Sequence, residues 1–160
     1  MFALLIGFIG DDFPERLPVD LNFVEMEVEE SVHFSPDPKA SHEWWAASPP
    51  GTGGVRLGAE NRVFFVSMFH QTHCLRYFRD GLLGKSVPEH ILHCLNYVRQ
   101  WTLCHADLTL EPGDFTMRNF TQDRVGQTHV CHDWDALYDE VSANWAEWNS
   151  NGSQPMTSST

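Results

Sequence analysis

His70-Gln71-Thr72-His73-Cys74-Leu75-Arg76-Tyr77-Phe78-Arg79 and His90-Ile91-Leu92-His93-Cys94-Leu95-Asn96-Tyr97-Val98-Arg99 are two copies of one unit, with starts 20 residues apart. They share His, His, Cys, Leu, Tyr and Arg at the same offsets. With 9 His and 4 Cys in 160 residues, two H-x-x-H-C strings arise by accident in roughly one such chain in 10,000. The pair therefore reads as a duplicated functional unit. Each copy has helical spacing. Val66, His70, His73 and Tyr77 make one stripe, and His90, His93, Cys94, Tyr97, Trp101 and Cys104 make another at i, i+3, i+4, i+7. Helices are expected over Arg62 to Arg79 and Glu89 to Cys104. The glycine- and proline-punctuated Gly81 to Pro88 between them is short enough to make the two an antiparallel hairpin.

Outward from the repeat, Val24, Met26 and Val28 alternate with Glu25, Glu27 and Glu29, the pattern of a strand with one wet face. Ser35 to Gly58 holds four prolines and four glycines around Trp44 and Trp45 and reads as an irregular arm pinned by aromatics. A polar loop is expected up to Thr128. After it Asp133 can cap a third helix whose apolar stripe is Trp134, Leu137, Val141, Trp145 and Trp148. The expected fold is mainly α with a short N-terminal β/irregular arm, an antiparallel helical hairpin carrying both motifs, and a C-terminal helix. In domain terms, residues 1–20 read as a truncated anchor or signal remnant with a linker, 21–149 as one metal-binding domain, and 150–160 as a flexible tail.

Composition narrows the functional classes. At 42% hydrophobic and 12% aromatic the chain is globular, and 22 acidic against 10 basic residues give a net charge of -12. That charge disfavours a nucleic-acid backbone or an anionic membrane surface as partner. An even cysteine count and the sequons Asn119-Phe120-Thr121 and Asn151-Gly152-Ser153 point to the secretory-pathway lumen, or to a membrane-associated protein facing it. Met1 to Gly10 is apolar but far short of the roughly 20 residues that span a bilayer, and it lacks a basic flank and a cleavage site. It is read as a truncated anchor or signal remnant, with a buried N-terminal strand as the alternative.

Two His at i and i+3 project from one helix face, and a facing helix with the same pair completes a four-His set. His70, His73, His90 and His93 are therefore the expected metal ligands. Imidazole suits copper, zinc, iron or nickel, whereas calcium and magnesium would want carboxylates that these faces lack. Cys74 and Cys94 could be thiolate ligands or a disulfide between the helices; Cys104 with Cys131 is the favoured bridge. His129 is a fifth candidate, as ligand or acid/base, with a solvated loop histidine as the plain alternative. His33, His42, His105 and His132 read as ordinary surface histidines. Asp107 either orients a ligand or caps a turn. Tyr77 and Tyr97, one turn beyond His73 and His93, pack beside the ligands or donate electrons. The motifs C-x-x-C-H, C-x-x-C, H-E-x-x-H, G-x-S-x-G and glycine-rich phosphate loops are all absent, which leaves redox or structural metal chemistry.

The pair HQTHC and HILHC, followed by LCHADLTLEP (103–112) and THVCHDWDAL (128–137), resembles the UstYa-like family of fungal mycotoxin-biosynthesis proteins. The resemblance covers about Trp44 to Trp145. It implies an oxidase, with copper as the expected metal and iron or zinc as alternatives. The expected role is tailoring a peptide or small-molecule metabolite by oxidative cyclisation, hydroxylation or halogenation, with a paralogous chain as a candidate partner. Residue by residue it places His70, His73, Cys74, His90, His93 and Cys94 in the paired motifs and Cys104, Asp107, His129 and Cys131 in the later blocks. His132 stands where the family usually has arginine, and the front is shorter than the family's membrane helix and linker. The competing readings are a zinc-stabilised module without turnover and a disulfide-held binding protein that assists a separate oxidase.

Overall fold

The computed structural model describes residues 8, 10, 12–29, 31, 33–105, 107–109, 119, 122 and 124–151. Along them the chain forms β1 (Phe23–Glu29), α1 (Ser41–Ala46), β2 (Gly54–Leu57), β3 (Arg62–Phe65), α2 (Ser67–Leu82), α3 (Pro88–Cys104), β4 (Val125–His132) and α4 (Trp134–Ser150). Short 3-10 turns at Pro38–Ala40 and Pro50–Gly53 flank α1. The protein is thus mainly helical with small antiparallel sheets and a C-terminal helix. The expected anchor in Met1 to Gly10, apart from Phe8 and Gly10, lies outside the described residues, as do most of 106–123 and the tail 152–160. Among the described residues no helix is long and apolar enough to cross a membrane.

Two sequence expectations need correction. Arg62-Val63-Phe64-Phe65 does not begin a helix but pairs antiparallel with Gly54-Val55-Arg56-Leu57, closed by the Asn61 N–H on the Gly58 carbonyl at 3.1 Å. The β-branched and aromatic run finds a ladder partner in the arm just before it, so α2 starts only at Ser67. The second correction lies before α4. The expected loop up to Thr128 is strand from Val125 onward, with Val24 opposite Cys131 and Met26 opposite His129 on β1. Asp133 does cap α4, its carboxylate accepting from the Ala136 N–H at 3.2 Å.

The core lies where β2 and α4 meet the first turn of α2. Val55, Phe69, Leu137 and Val141 are buried there, and Leu17, Val19, Leu21 and Tyr138 pack around them. Of the expected α4 stripe, Leu137 and Val141 go inside, but Trp134 is 46% exposed, in a T-shaped contact with Tyr138. The reason is position: Trp134 is the first residue of the helix, where the stripe has not yet reached the core. Trp148 instead lies under the Arg56 guanidinium at 4.2 Å.

Asn144 ties α4 to the sheet. Its Oδ1 accepts from the Arg56 N–H at 2.7 Å and its Nδ2 donates to the Arg56 carbonyl at 2.9 Å, so an amide side chain acts as the missing neighbour of β2. Asn144→Ala leaves both backbone groups unpaired and is expected to cost about 1–3 kcal/mol, read as a lower urea midpoint at unchanged m-value.

Candidate functional site

The two units face each other across α2 and α3. His70 meets His93 at 5.7 Å between ring centres and Tyr97 at 4.1 Å, while His73 meets His90 at 5.8 Å. Tyr77 lies 3.9 Å from His90. Along each helix the two imidazoles stand 6.2 Å apart on α2 and 6.1 Å apart on α3. Ascending numbers on α2 meet descending numbers on α3, so the repeat in sequence becomes a local two-fold in space. Each tyrosine covers the first histidine of the opposite unit. A cavity of about 390 Å³ adjoins the α2 half, lined by Thr52, Phe65, Phe69, His70 and His73.

Burial lowers the His70 pKa, and the neighbouring His93 and His90 lower it further. His73 is lowered by burial first and then by the Arg76 guanidinium. Both imidazoles are therefore neutral at neutral pH, the state in which a ring nitrogen can bind a metal. An imidazole nitrogen coordinates at about 2 Å, which puts ring centres of a tetrahedral set roughly 5 Å apart. The quartet is wider than this. As the side chains lie, no group of three His, Cys, Asp or Glu among the described residues stands close enough to hold an ion. The donors fit such an ion in kind, since four imidazoles face one another, but the rings would have to turn inward to close on it. One contact would have to change as well. Arg76 donates to His73 Nδ1 at 3.1 Å, which leaves the ring proton on Nε2.

Cys74 and Cys94 are completely buried behind the histidines, the Cys74 thiol hydrogen-bonded with Cys94. Burial, then this contact, pushes the Cys74 thiol up to about 12, the opposite of what a thiolate ligand shows. All four cysteines are free thiols in the structure, with Cys104 exposed at the end of α3 and Cys131 on β4. Alkylation of the folded protein at pH 8 is expected to modify Cys104 and spare Cys74 and Cys94, as read by peptide mass; rapid labelling of Cys74 would contradict the packing.

His129 lies on β4, and its described side-chain partner is Asp107 rather than any of the four histidines. His129 Nδ1 donates to the Asp107 carboxylate, which also accepts from the Thr109 N–H at 2.8 Å and hydroxyl at 2.7 Å. These bonds, the histidine's first, hold Asp107 down at about 2. Asp107 thus both caps a turn and orients an imidazole. The remaining histidines have ordinary partners. His33 and His42 lie beside Glu43, His132 stacks on Phe23, and His105 stacks on Trp101.

Sequence reasoning missed two arginines. Arg79 is buried and donates to the Asp37 carbonyl at 2.7 Å and the Ser41 hydroxyl at 3.0 Å, fastening the start of α1 to α2. Arg76 stacks on Trp45 at 3.6 Å and reaches His73. The available signal was the break in the repeat: Asn96 stands where the first copy has Arg76.

The protein is thus small and mainly helical, with a duplicated segment that sets four imidazoles and two tyrosines about a local two-fold beside a cavity. The chain belongs to the family described as mycotoxin biosynthesis protein UstYa, whose family model matches residues 20–149. Among curated proteins it is similar to the UstYa family oxidase phomYb of Diaporthe leptostromiformis, 32% identical over 124 residues, covering 64% of this chain and 49% of the relative. It is also similar to the oxidase ustYa of Aspergillus flavus, 33% identical over 107 residues, covering 62% of this chain and 48% of the relative. The hydroxylase cctR of Talaromyces islandicus is 31% identical over 118 residues, covering 66% and 43%. The chain spans about half the length of the curated relatives it matches. No solved structure matches it.

Proposed function

We propose that this chain carries the catalytic unit of a copper-dependent oxidase that tailors a secondary metabolite, with the helical hairpin of α2 and α3 as its metal-binding element. The observation that carries the reading is the quartet of facing imidazoles beside a cavity, in a chain whose relatives are named oxidases and a hydroxylase. His70, His73, His90 and His93 would hold one or two ions. Copper bound there would supply one-electron oxidation and the reduction of dioxygen.

The protein's own part is positional. Tyr77 and Tyr97 hold His90 and His70 in place through tilted ring contacts. Phe65, Phe69 and Thr52 form a largely apolar wall that orients substrate and limits water beside His70 and His73. His129, with its Nδ1–H directed to Asp107, presents a lone pair at Nε2 and is suited to accept a proton. A secretory-lumen setting is supported by the two sequons.

The zinc-closed structural module is the weaker reading, because a tetrahedral structural site has no need of an adjoining cavity. Elemental analysis and paramagnetic resonance decide between them. Stoichiometric copper with an imidazole-type signal is the expected result, and tightly held zinc or the absence of metal binding would overturn the oxidase proposal.

A further inference from the structure

We propose that Arg76, held flat on Trp45 beside His73, is a substrate-positioning residue that anchors a carboxylate, while the adjoining cavity takes the apolar body of the same molecule. The substrate class is thus a carboxylic acid with a bulky apolar group near its acid function. The proposal deepens the oxidase reading by naming what its site would receive, and its binding step requires no metal.

Three observations converge. The first is the set of acceptors around Arg76. Arg56 donates to the Asn61 carbonyl, Arg62 to the carbonyls of Phe8 and Gly10, and Arg79 to the Asp37 carbonyl and the Asp80 carboxylate. The described acceptor of Arg76 is a neutral imidazole nitrogen at 3.1 Å, and none of the ion pairs among the described residues includes it. A guanidinium has five donors in a planar fork that matches a carboxylate, so most of its capacity is open.

The second is preorganisation. The guanidinium lies 3.6 Å from the Trp45 ring centre and 5.6 Å from that of Tyr77, an arrangement that fixes its plane without using its N–H groups. Trp45 remains 58% exposed, so the shelf opens to solvent. The residues that support the shelf are themselves fixed, since buried Arg79 clamps Ser41 at the start of the helix that carries Trp45.

The third is adjacency. His73, the acceptor of Arg76, also lines the cavity with Phe65 and Phe69. At about 390 Å³ that cavity falls in the size range of small-molecule sites, which bury an apolar body and fix it with a few polar groups. The net charge of -12 disfavours polyanions at long range, but it does not oppose one carboxylate meeting one half-buried guanidinium. The second unit has Asn96 at the matching position, so the local two-fold is broken here and the guanidinium stands at one end of the quartet only.

The test compares N-acetyl-L-phenylalanine with N-acetyl-L-phenylalaninamide, which differs in lacking the carboxylate, by calorimetric or NMR titration of the full metal-free chain. The acid is expected to bind about tenfold or more tightly than the amide. Arg76→Gln should bring the acid down to the affinity of the amide, Arg76→Lys should retain part of the preference, and Phe65→Ala should weaken both probes alike. Equal binding of acid and amide to the unaltered chain, binding of neither, or a preference that persists in Arg76→Gln would each overturn the proposal. The comparison on the unaltered chain needs no variant to fold. Copper loading of the same preparations reads the oxidase proposal separately, so the two can fail independently.

Discussion

His73→Ala and His93→Ala are each expected to lose stoichiometric copper, with an affinity at least about 100-fold lower, the upper end of what loss of a partner outside the ligand set costs. The expectation follows from the way the four positions face one another. Each helix offers two imidazoles, and each imidazole faces one on the other helix at 5.7 to 5.8 Å. Removing either one leaves three donors and an open side. Both variants should lose copper, although His73 alone of the pair accepts from Arg76. His42→Ala serves as the control: its ring lies 4.0 Å from Glu43 and bonds the Lys39 carbonyl on the surface of α1, so loading should be unchanged. Oxidase turnover should fall with copper content in the first two variants and not in the third. Full copper content and turnover in His73→Ala would sink the four-His proposal outright.

The parts of this molecule that could be read from sequence are those whose order is local. The 3.6-residue stripes of α2, α3 and α4 and the alternation of β1 are properties of contiguous residues, and these elements occur near their expected limits except at the start of α2, where Arg62–Phe65 is strand. β4 could not be read in this way. Its residues Gly126, Gln127 and His129 are not strand-like in themselves and become strand by pairing with β1, about a hundred residues earlier. α1 has only six residues, too few for a period to show, and it sits in a segment whose prolines and glycines argue for irregularity. The candidate site divides along the same line. His70, His73, His90 and His93 were legible because the motif repeats, whereas the role of Arg76 depends on Trp45, which only the folded chain brings to it. The partnership of His129 with Asp107 was half legible, each residue singled out but the bond between them unforeseen.

Gly53→Ala is expected to be the most damaging single-atom addition to the fold. Gly53 has φ +84, a left-handed conformation that costs an L residue about 1–2 kcal/mol. An added Cβ would also lie 2.3 Å from Phe69 Cβ and 2.6 Å from its Cγ. Phe69 cannot yield easily, because it is buried at the centre of the core with its ring against the ring edge of Tyr138 at 4.8 Å. Forced overpacking of this kind adds about 1–3 kcal/mol. The Gly53 carbonyl also accepts from the Val66 N–H at 3.1 Å, so displacement of Gly53 is passed to the start of α2 and to the cavity wall that Phe69 shares with His70. Gly84→Ala isolates the backbone part, since Gly84 has φ +67 but nothing within 4 Å of the added atom. At this chain length each kcal/mol moves the melting temperature by about 2–4 °C, so Gly53→Ala should lower it by on the order of 10 °C and Gly84→Ala by roughly 2–8 °C. Thermal unfolding followed by circular dichroism measures both. Equal shifts in the two variants would mean that Phe69 gives way to the added methyl group, and the cavity beside His70 would then have to be plastic rather than preformed.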